Sequence, residues 1–318
     1  MHQNIECIDY KEETEDIIRK FDRKEDFVYY TSGSTGTPKK IVHSYELIKQ
    51  VAEENCRYNN YVKDDYIVNA SLPAASIGYP VLSVLPAYIS GCKLRVKAFS
   101  PYEYLDEIKD ATHAFILPAV YRVLKKTKKW IDFNFTGMTI SSGADIVPEG
   151  IKKDVLSKGA IKFHHLYGST EVPPAISDSE DEERIGEKLS PLIDYYIKDE
   201  ELFIKWKLQE FFWQSGDIVT EDLKVTGRKK NILALNCSRL QPETIERYVL
   251  DNTSVNRCML TIKNDKVWMY YDGDENASIV KEKVEEWYVD SPVKVTKVDK
   301  IQVNKMNKLI RTANYDHS

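Results

Sequence analysis

The sequence predicts an α/β fold: a large layered domain on a mainly parallel sheet, followed by a small C-terminal α+β domain. Three observations carry this. Short apolar runs alternate with helix-like stretches from Phe27 to Leu166, the texture changes to a charged loop and hairpins after Pro174, and a compact stretch of about ninety residues follows Gly227-Arg228. Strand–helix alternation requires crossover connections, and crossovers produce parallel sheets.

Taken in order, Phe27–Tyr30, Tyr66–Ala70, Lys93–Val96, His113–Leu117, Met138–Ser141 and Ile161–His165 read as strands, since each is short and rich in apolar residues. Between them, Tyr45–Arg57 sets Leu47, Ile48, Val51 and Ala52 on one helical face, and Ala119–Lys126 and Glu149–Lys158 also read as helices. Ser177 to Lys188 is a charged loop, and Asp194–Trp206 a hairpin turning at Asp199-Glu200. Beyond a linker near Arg228–Asn231 come a helix at Pro242–Leu250, a hairpin around Lys263-Asn264-Asp265, a helix at Ile279–Tyr288 and a strand at Val293–Val298. The predicted domains are 1–226 and 227–318. No internal repeat or low-complexity tract interrupts them.

Composition narrows the function. Across 318 residues, 45 Lys+Arg against 50 Asp+Glu give a net charge of -5, which argues against a protein that works by neutralising nucleic-acid phosphates. Hydrophobic residues at 42% and charged residues at 30% describe a folded chain and not a disordered one. Ile77 to Gly91 is the longest apolar stretch, but Pro80, Pro86 and several polar groups break it, so no membrane span is expected. Met1 to Asp26 is acidic and lacks the basic start and apolar core of a secretion signal. Five scattered cysteines with no CxxC fit reduced thiols in a cytoplasmic protein.

The strongest chemical signal is Tyr30-Thr31-Ser32-Gly33-Ser34-Thr35-Gly36-Thr37-Pro38-Lys39. Glycines let backbone N–H groups turn toward a polyanion, hydroxyls add donors and Lys39 adds charge. The glycine spacing and the residue after the lysine rule out a Walker A loop. Further along stand Ser142-Gly143-Ala144, Tyr167-Gly168-Ser169-Thr170-Glu171, Trp213-Gln214-Ser215-Gly216-Asp217, Gly227-Arg228 eleven residues beyond Asp217, and Asn304-Lys305-Met306-Asn307-Lys308-Leu309-Ile310-Arg311. In this order the motifs resemble those of the superfamily of AMP-forming adenylating enzymes: acyl- and aryl-CoA synthetases, peptide-synthetase adenylation domains and luciferases. The resemblance covers about Phe27 to Arg311.

That resemblance implies ATP-dependent activation of a small-molecule carboxylic acid to an acyl-adenylate, then transfer to the thiol of CoA or phosphopantetheine. It implies that Thr31, Ser32, Gly33, Ser34, Thr35, Gly36 and Lys39 bind phosphate. Gly143 lies against the nucleotide or the acyl group, Tyr167 stacks on adenine, Thr170 donates to the α-phosphate and Glu171 holds Mg²⁺. Asp217 and Arg228 take the ribose, Lys230 is the hinge on which the small domain moves, and Lys308 bridges the attacking carboxylate and the phosphate. Asn307 stands where glycine is usual, and asparagine tolerates left-handed backbone better than most residues. His164-His165 suggests no metal site, because adjacent strand residues face opposite ways; one of the pair is a candidate for the acyl pocket.

Three features depart from the family pattern. Only about thirty residues precede the phosphate loop where a whole subdomain is usual, Ala75 replaces an aromatic residue or histidine in Pro73–Gly78, and Cys237 replaces a glycine. The reading therefore keeps alternatives open: an adenylating enzyme serving a carrier protein or another acceptor, a subunit of a split ligase, or a nucleotide-binding scaffold with reduced catalysis. The short N-terminal part also leads us to expect a second copy or a partner chain covering the exposed face.

Overall fold

The computed structural model describes residues 3–31, 39–144, 150–177, 190–235, 238–264, 266–287, 293–303, 309–311 and 315. Its elements run β1 (Ile5–Cys7), α1 (Lys11–Asp22), β2 (Phe27–Thr31), β3 (Lys39–His43), α2 (Tyr45–Asn59), β4 (Tyr66–Asn69), α3 (Leu85–Ser90), β5 (Lys93–Val96), α4 (Tyr104–Ile108), β6 (His113–Phe115), α5 (Pro118–Leu124), α6 (Lys128–Asp132), β7 (Thr139–Gly143), α7 (Ile151–Ser157), β8 (Lys162–Tyr167) and β9 (Ala175–Ser177). There follow β10 (Ile193–Lys198), β11 (Glu201–Trp206), β12 (Trp213–Val219), β13 (Val225–Arg228), β14 (Leu233–Leu235), β15 (Ser238–Leu240), α8 (Pro242–Asn252), β16 (Val255–Lys263), β17 (Lys266–Gly273), α9 (Ala277–Glu285) and β18 (Val293–Lys297). Two compact units emerge, 1–196 with 203–215, and 197–202 with 216–318.

The first unit is built on a seven-stranded sheet in the order β1-β5-β4-β6-β7-β8-β9. All neighbours are parallel except β9, which runs antiparallel to β8. β6 and β7 are buried at every position, as expected of a parallel sheet covered on both faces. On one face Tyr104, Ile108, Val120, Trp130, Ile151 and Val155 pack against Val68, Ala114 and Ile140. Strand order turns back at β4 and β6, and in open parallel sheets ligands bind beyond the carboxyl ends near such a reversal.

Several elements escaped the sequence reading, among them β1, α1 and β3. β1 adds an edge strand through three residues, of which only Ile5 is buried. α1 buries Thr14, Ile17 and Ile18 beneath a run of charge, too little apolar surface to mark a helix unambiguously. β3 pairs antiparallel with β2, so Phe27–Thr31 is one arm of a separate two-stranded hairpin and not a strand of the large sheet. The reason is length: residues 32–38 are too few for the crossover that a parallel partner needs. Of the two prolines that break the apolar stretch as a membrane span, Pro80 sits in the first turn of a helical run, where a missing N–H costs nothing, and Pro86 lies further along the same run, just after its wide turn at Pro80–Val84. Among the described residues no helix is long and apolar enough to cross a membrane.

The second unit is α+β. β16 and β17 pair antiparallel and β18 joins β17 in parallel, with Ile245, Val249, Val280 and Val284 of α8 and α9 packed on Leu260 and Met269. The two tight turns expected at Asp199-Glu200 and Asn264 are present, each with positive φ.

His113 in β6 supplies the first prediction. It is 8% exposed, and its Nδ1 lies 2.9 Å from Thr112 Oγ1 and 3.9 Å from the Asp65 carboxylate. Burial pushes its pKa down to about 4, a loss that the Asp65 charge opposes and nearby His164 reinforces. Folding thus favours the neutral ring, and the unfolded chain binds the extra proton. Stability is unaffected by this group above its ordinary value near 6.5 and is lost as pH falls from there toward 4, on the order of 2–3 kcal/mol. Urea unfolding of wild type and His113→Gln at pH 7 and pH 4.5 reads the difference. An equal acid-induced loss in the two proteins refutes the assignment.

Candidate functional site

In the first unit the candidate residues gather around the hairpin and the carboxyl ends of β7 and β8. Thr31 pairs with Lys39 across the hairpin, so residues 32–38 form its connection; Ser32, Gly33, Ser34, Thr35 and Gly36 lie outside the described residues. Lys39 Nζ sits 4.6 Å from the ring centroid of Trp213, a cation–π contact that restrains the lysine at the mouth of the loop.

At the end of β7, Gly143 pairs with Leu166 of β8. A Cβ on Gly143 would lie 2.1 Å from the Leu166 carbonyl oxygen, so only a hydrogen fits. β8 then delivers half-buried Tyr167 into a tight turn. Gly168 has the same constraint, since a Cβ there would lie 2.5 Å from Pro174 Cα. Ser169 N–H donates to Val172 O at 2.9 Å, and Ser169 Oγ accepts from the N–H groups of Glu171 and Val172 at 3.2 Å each.

Side chains from outside this turn take its carbonyls. His43 Nε2 lies 2.6 Å from Thr170 O, Gln209 Nε2 donates to Glu171 O at 2.8 Å, and Trp206 Nε1 donates to Pro173 O at 2.9 Å. His43 is 3% exposed. Burial lowers its pKa, against the opposing effects of the Thr170 carbonyl and the Glu171 carboxylate. The backbone around Thr170 and Glu171 is therefore held on several sides, while both residues stay partly open to solvent. Sequence reasoning found Tyr167, Thr170 and Glu171. It missed His43, Trp206 and Gln209, whose contacts to carbonyls leave no spacing signature.

One carboxylate on a fixed turn suits Mg²⁺, which keeps several waters and takes one or two protein carboxylates together with substrate phosphates. Among the described residues no group of three or more His, Cys, Asp or Glu is placed to hold a metal by itself. Glu171 is the carboxylate on this turn that would be offered to such an ion, with the remaining ligands supplied from outside the chain.

In the second unit Asp217 and Arg228 stand opposite each other on β12 and β13. Arg228 Nε lies 2.7 Å from Asp217 Oδ1, and Asp217 is 6% exposed. The eleven-residue spacing is thus a cross-strand pair, in which the arginine orients the carboxylate. Next to it, Lys229 reaches the buried carboxylate of Glu201 at 2.7 Å, and Lys230 is exposed in a single 3₁₀ turn, Lys229–Asn231. Lys308 lies outside the described residues. On either side of 304–308, Val303 bridges Leu309, and Arg311 makes two bonds of 2.8 and 2.7 Å to the carboxylate of Glu246 on α8.

The family model of AMP-binding enzymes matches residues 8–205. A 2-succinylbenzoate–CoA ligase of Haemophilus influenzae is 24% identical over 285 residues, covering 78% of this chain and 60% of that protein. The ATP-bound structure of MatB from Rhodopseudomonas palustris superposes with a TM-score of 0.73 at 18% identity, covering 89% of this chain and 66% of that one. The anthranilate–CoA ligase AuaEII in complex with anthranoyl-AMP gives 0.76 at 14% identity, covering 90% and 65%. The chain thus spans about three fifths to two thirds of the length of these relatives, and the two structures share its fold.

Proposed function

Because the chain belongs to the AMP-binding enzyme family, we propose that it activates a small carboxylic acid with ATP and Mg²⁺ and passes the acyl group to a thiol. The observation that carries the reading is the Tyr167–Pro174 turn. It stands at the carboxyl end of β8, its backbone is pinned by His43 from the hairpin that bears the phosphate loop, and it presents Thr170 and Glu171. In the first step a carboxylate oxygen attacks the α-phosphorus of ATP, the bond to the bridging oxygen breaks, and pyrophosphate leaves with its electron pair. In the second, a thiolate sulfur attacks the acyl carbon and AMP departs.

Both reactants in the first step are anions, so positioning and charge neutralisation dominate. Thr31 to Lys39 hold the departing phosphates, Tyr167 stacks on adenine, and Thr170 donates to the α-phosphate. Glu171 carries Mg²⁺, which would spread phosphate charge. Asp217 accepts from the ribose hydroxyls beside Arg228, and Lys308 contributes a cation where the two anions meet. Residues 1–226 form the nucleotide domain in this reading, and 227–318 move about Lys230 between the steps. The acceptor is CoA or the phosphopantetheine of a carrier protein.

The relatives' names supply the first acids to try: 2-succinylbenzoate and anthranilate, both aryl carboxylates. Exchange of labelled pyrophosphate into ATP, dependent on an added acid, tests the proposal. ATP binding with no exchange across a broad acid panel points instead to a nucleotide-binding scaffold. Asp217→Ala removes the acceptor for two hydroxyls, with charge-assisted bonds worth about 1.5–3 kcal/mol each. It should raise the KM for ATP roughly tenfold or more with a smaller change in kcat. An unchanged KM would move the ribose elsewhere.

A further inference from the structure

The turn that carries Thr170 and Glu171 is fastened to the phosphate-loop hairpin by His43, a residue that the adenylation chemistry itself does not call for. β3 is exposed or half-exposed from Lys39 to Val42 and buried only at His43. Across the hairpin His43 pairs with Phe27, which is buried, so the two arms are anchored at their base, at the opposite end from the Thr31–Lys39 pair. From that base the imidazole reaches out of the hairpin to the Thr170 carbonyl at 2.6 Å. A carbonyl only accepts, so Nε2 carries the hydrogen. An apolar side chain would fill the same space without a buried polar ring that must find a partner.

We infer that His43 is a positioning residue that sets the register between the β2–β3 hairpin and the Thr170–Glu171 segment. Through it, Lys39 at the end of the hairpin and the metal-bearing carboxylate of Glu171 meet one polyphosphate at a fixed separation. Gln209 holds the next carbonyl, that of Glu171, and shares the task. This inference rests on the nucleotide-binding reading given above. Without the His43 bond the turn keeps its internal Ser169 bonds and its contacts to Trp206 and Gln209, so the element survives while its distance from the loop loosens. Misplacement of this kind, on the scale of an ångström, weakens function far more than it weakens the fold.

Calorimetry with the full chain tests it, using ATP with excess Mg²⁺ and ATP with chelator as probes, alongside thermal melts. For His43→Ala we expect Mg·ATP to bind at least about tenfold more weakly, with metal-free ATP changed by less than about threefold, because the misplaced carboxylate acts through the metal. His43→Gln, whose side-chain amide also donates near the Nε2 position, should return Mg·ATP binding to within about threefold of wild type. Gln209→Ala, half-exposed, should weaken Mg·ATP binding in the same sense, and it carries the test if His43→Ala does not fold. Unchanged Mg·ATP binding in folded His43→Ala overturns the inference, and so does an equal loss in the alanine and glutamine variants, which would assign the effect to ring shape. Should His43→Ala not fold, wild-type binding by Gln209→Ala overturns it. Wild type that fails to bind Mg·ATP refutes the nucleotide-binding reading, and this inference falls with it.

Discussion

Replacing Glu171 with alanine should lower acid-dependent pyrophosphate exchange by two or more orders of magnitude and leave the melting temperature nearly unchanged. The side chain is half-buried, and the backbone beneath it is fixed by Ser169, Gln209 and the neighbouring carbonyl contacts, none of which uses the carboxylate. What is lost is the proposed protein charge on the metal, and removing a preorganised charge stabiliser costs about 10²–10³ in rate. Lys308→Ala should have an effect of the same size on the same assay, because a carboxylate and a polyphosphate repel each other unless a cation stands between them. Its flanks are tied down independently of the lysine, by the Val303–Leu309 bridge on one side and by the Arg311–Glu246 pair on the other. Glu246 is 4% exposed and also accepts from Leu260 N–H at 2.7 Å. Near wild-type exchange by Lys308→Ala would mean that the terminal motif is misassigned. Near wild-type exchange by Glu171→Ala would move the metal elsewhere.

How much of this was legible beforehand follows from where the information sits in the chain. β4 to β8 were readable because a parallel sheet covered on both faces demands short, continuous apolar runs, and His113–Phe115 and Thr139–Gly143 are buried at every position. β3 was not, because its residues are mostly exposed and its place is decided by pairing with β2, which no local pattern records. The site divides in the same way. Asp217 and Arg228 were legible as a spacing because the β12–β13 hairpin converts eleven residues of separation into one cross-strand pair. His43 and Gln209 act on backbone carbonyls far away in sequence, and a carbonyl is the same at every residue. His164 and His165 lie on opposite faces of a sheet buried on both, as adjacent strand residues must, and His164 packs edge-on to Tyr58 at 5.1 Å between ring centroids.

Gly143 separates a structural demand from a binding one, and here the expected effect falls on stability. In the family resemblance this glycine lies against the nucleotide or the acyl group, and contact with the nucleotide by itself predicts that an added methyl would crowd the ligand and raise the KM for ATP. The strand geometry predicts something more severe. The added Cβ of Gly143→Ala would lie 2.1 Å from the Leu166 carbonyl oxygen and 2.7 Å from Leu166 Cβ. The nearest atom is a backbone oxygen and the other is fixed to the backbone, so no side chain can rotate away, and β7 and β8 must separate at the point where they are paired. Both strands are interior to the sheet, with β6 on one flank and β9 on the other, so the displacement has nowhere free to go. Overpacking of this sort costs about 1–3 kcal/mol and occasionally more, so Gly143→Ala should lower the melting temperature by roughly 2–5 °C for a chain of this size. Because β8 leads directly into Tyr167 and the pinned turn, nucleotide binding should weaken together with stability. A variant that melts like wild type and shows only a raised KM for ATP would mean that the strands part at little cost, and that glycine is required here by the ligand alone.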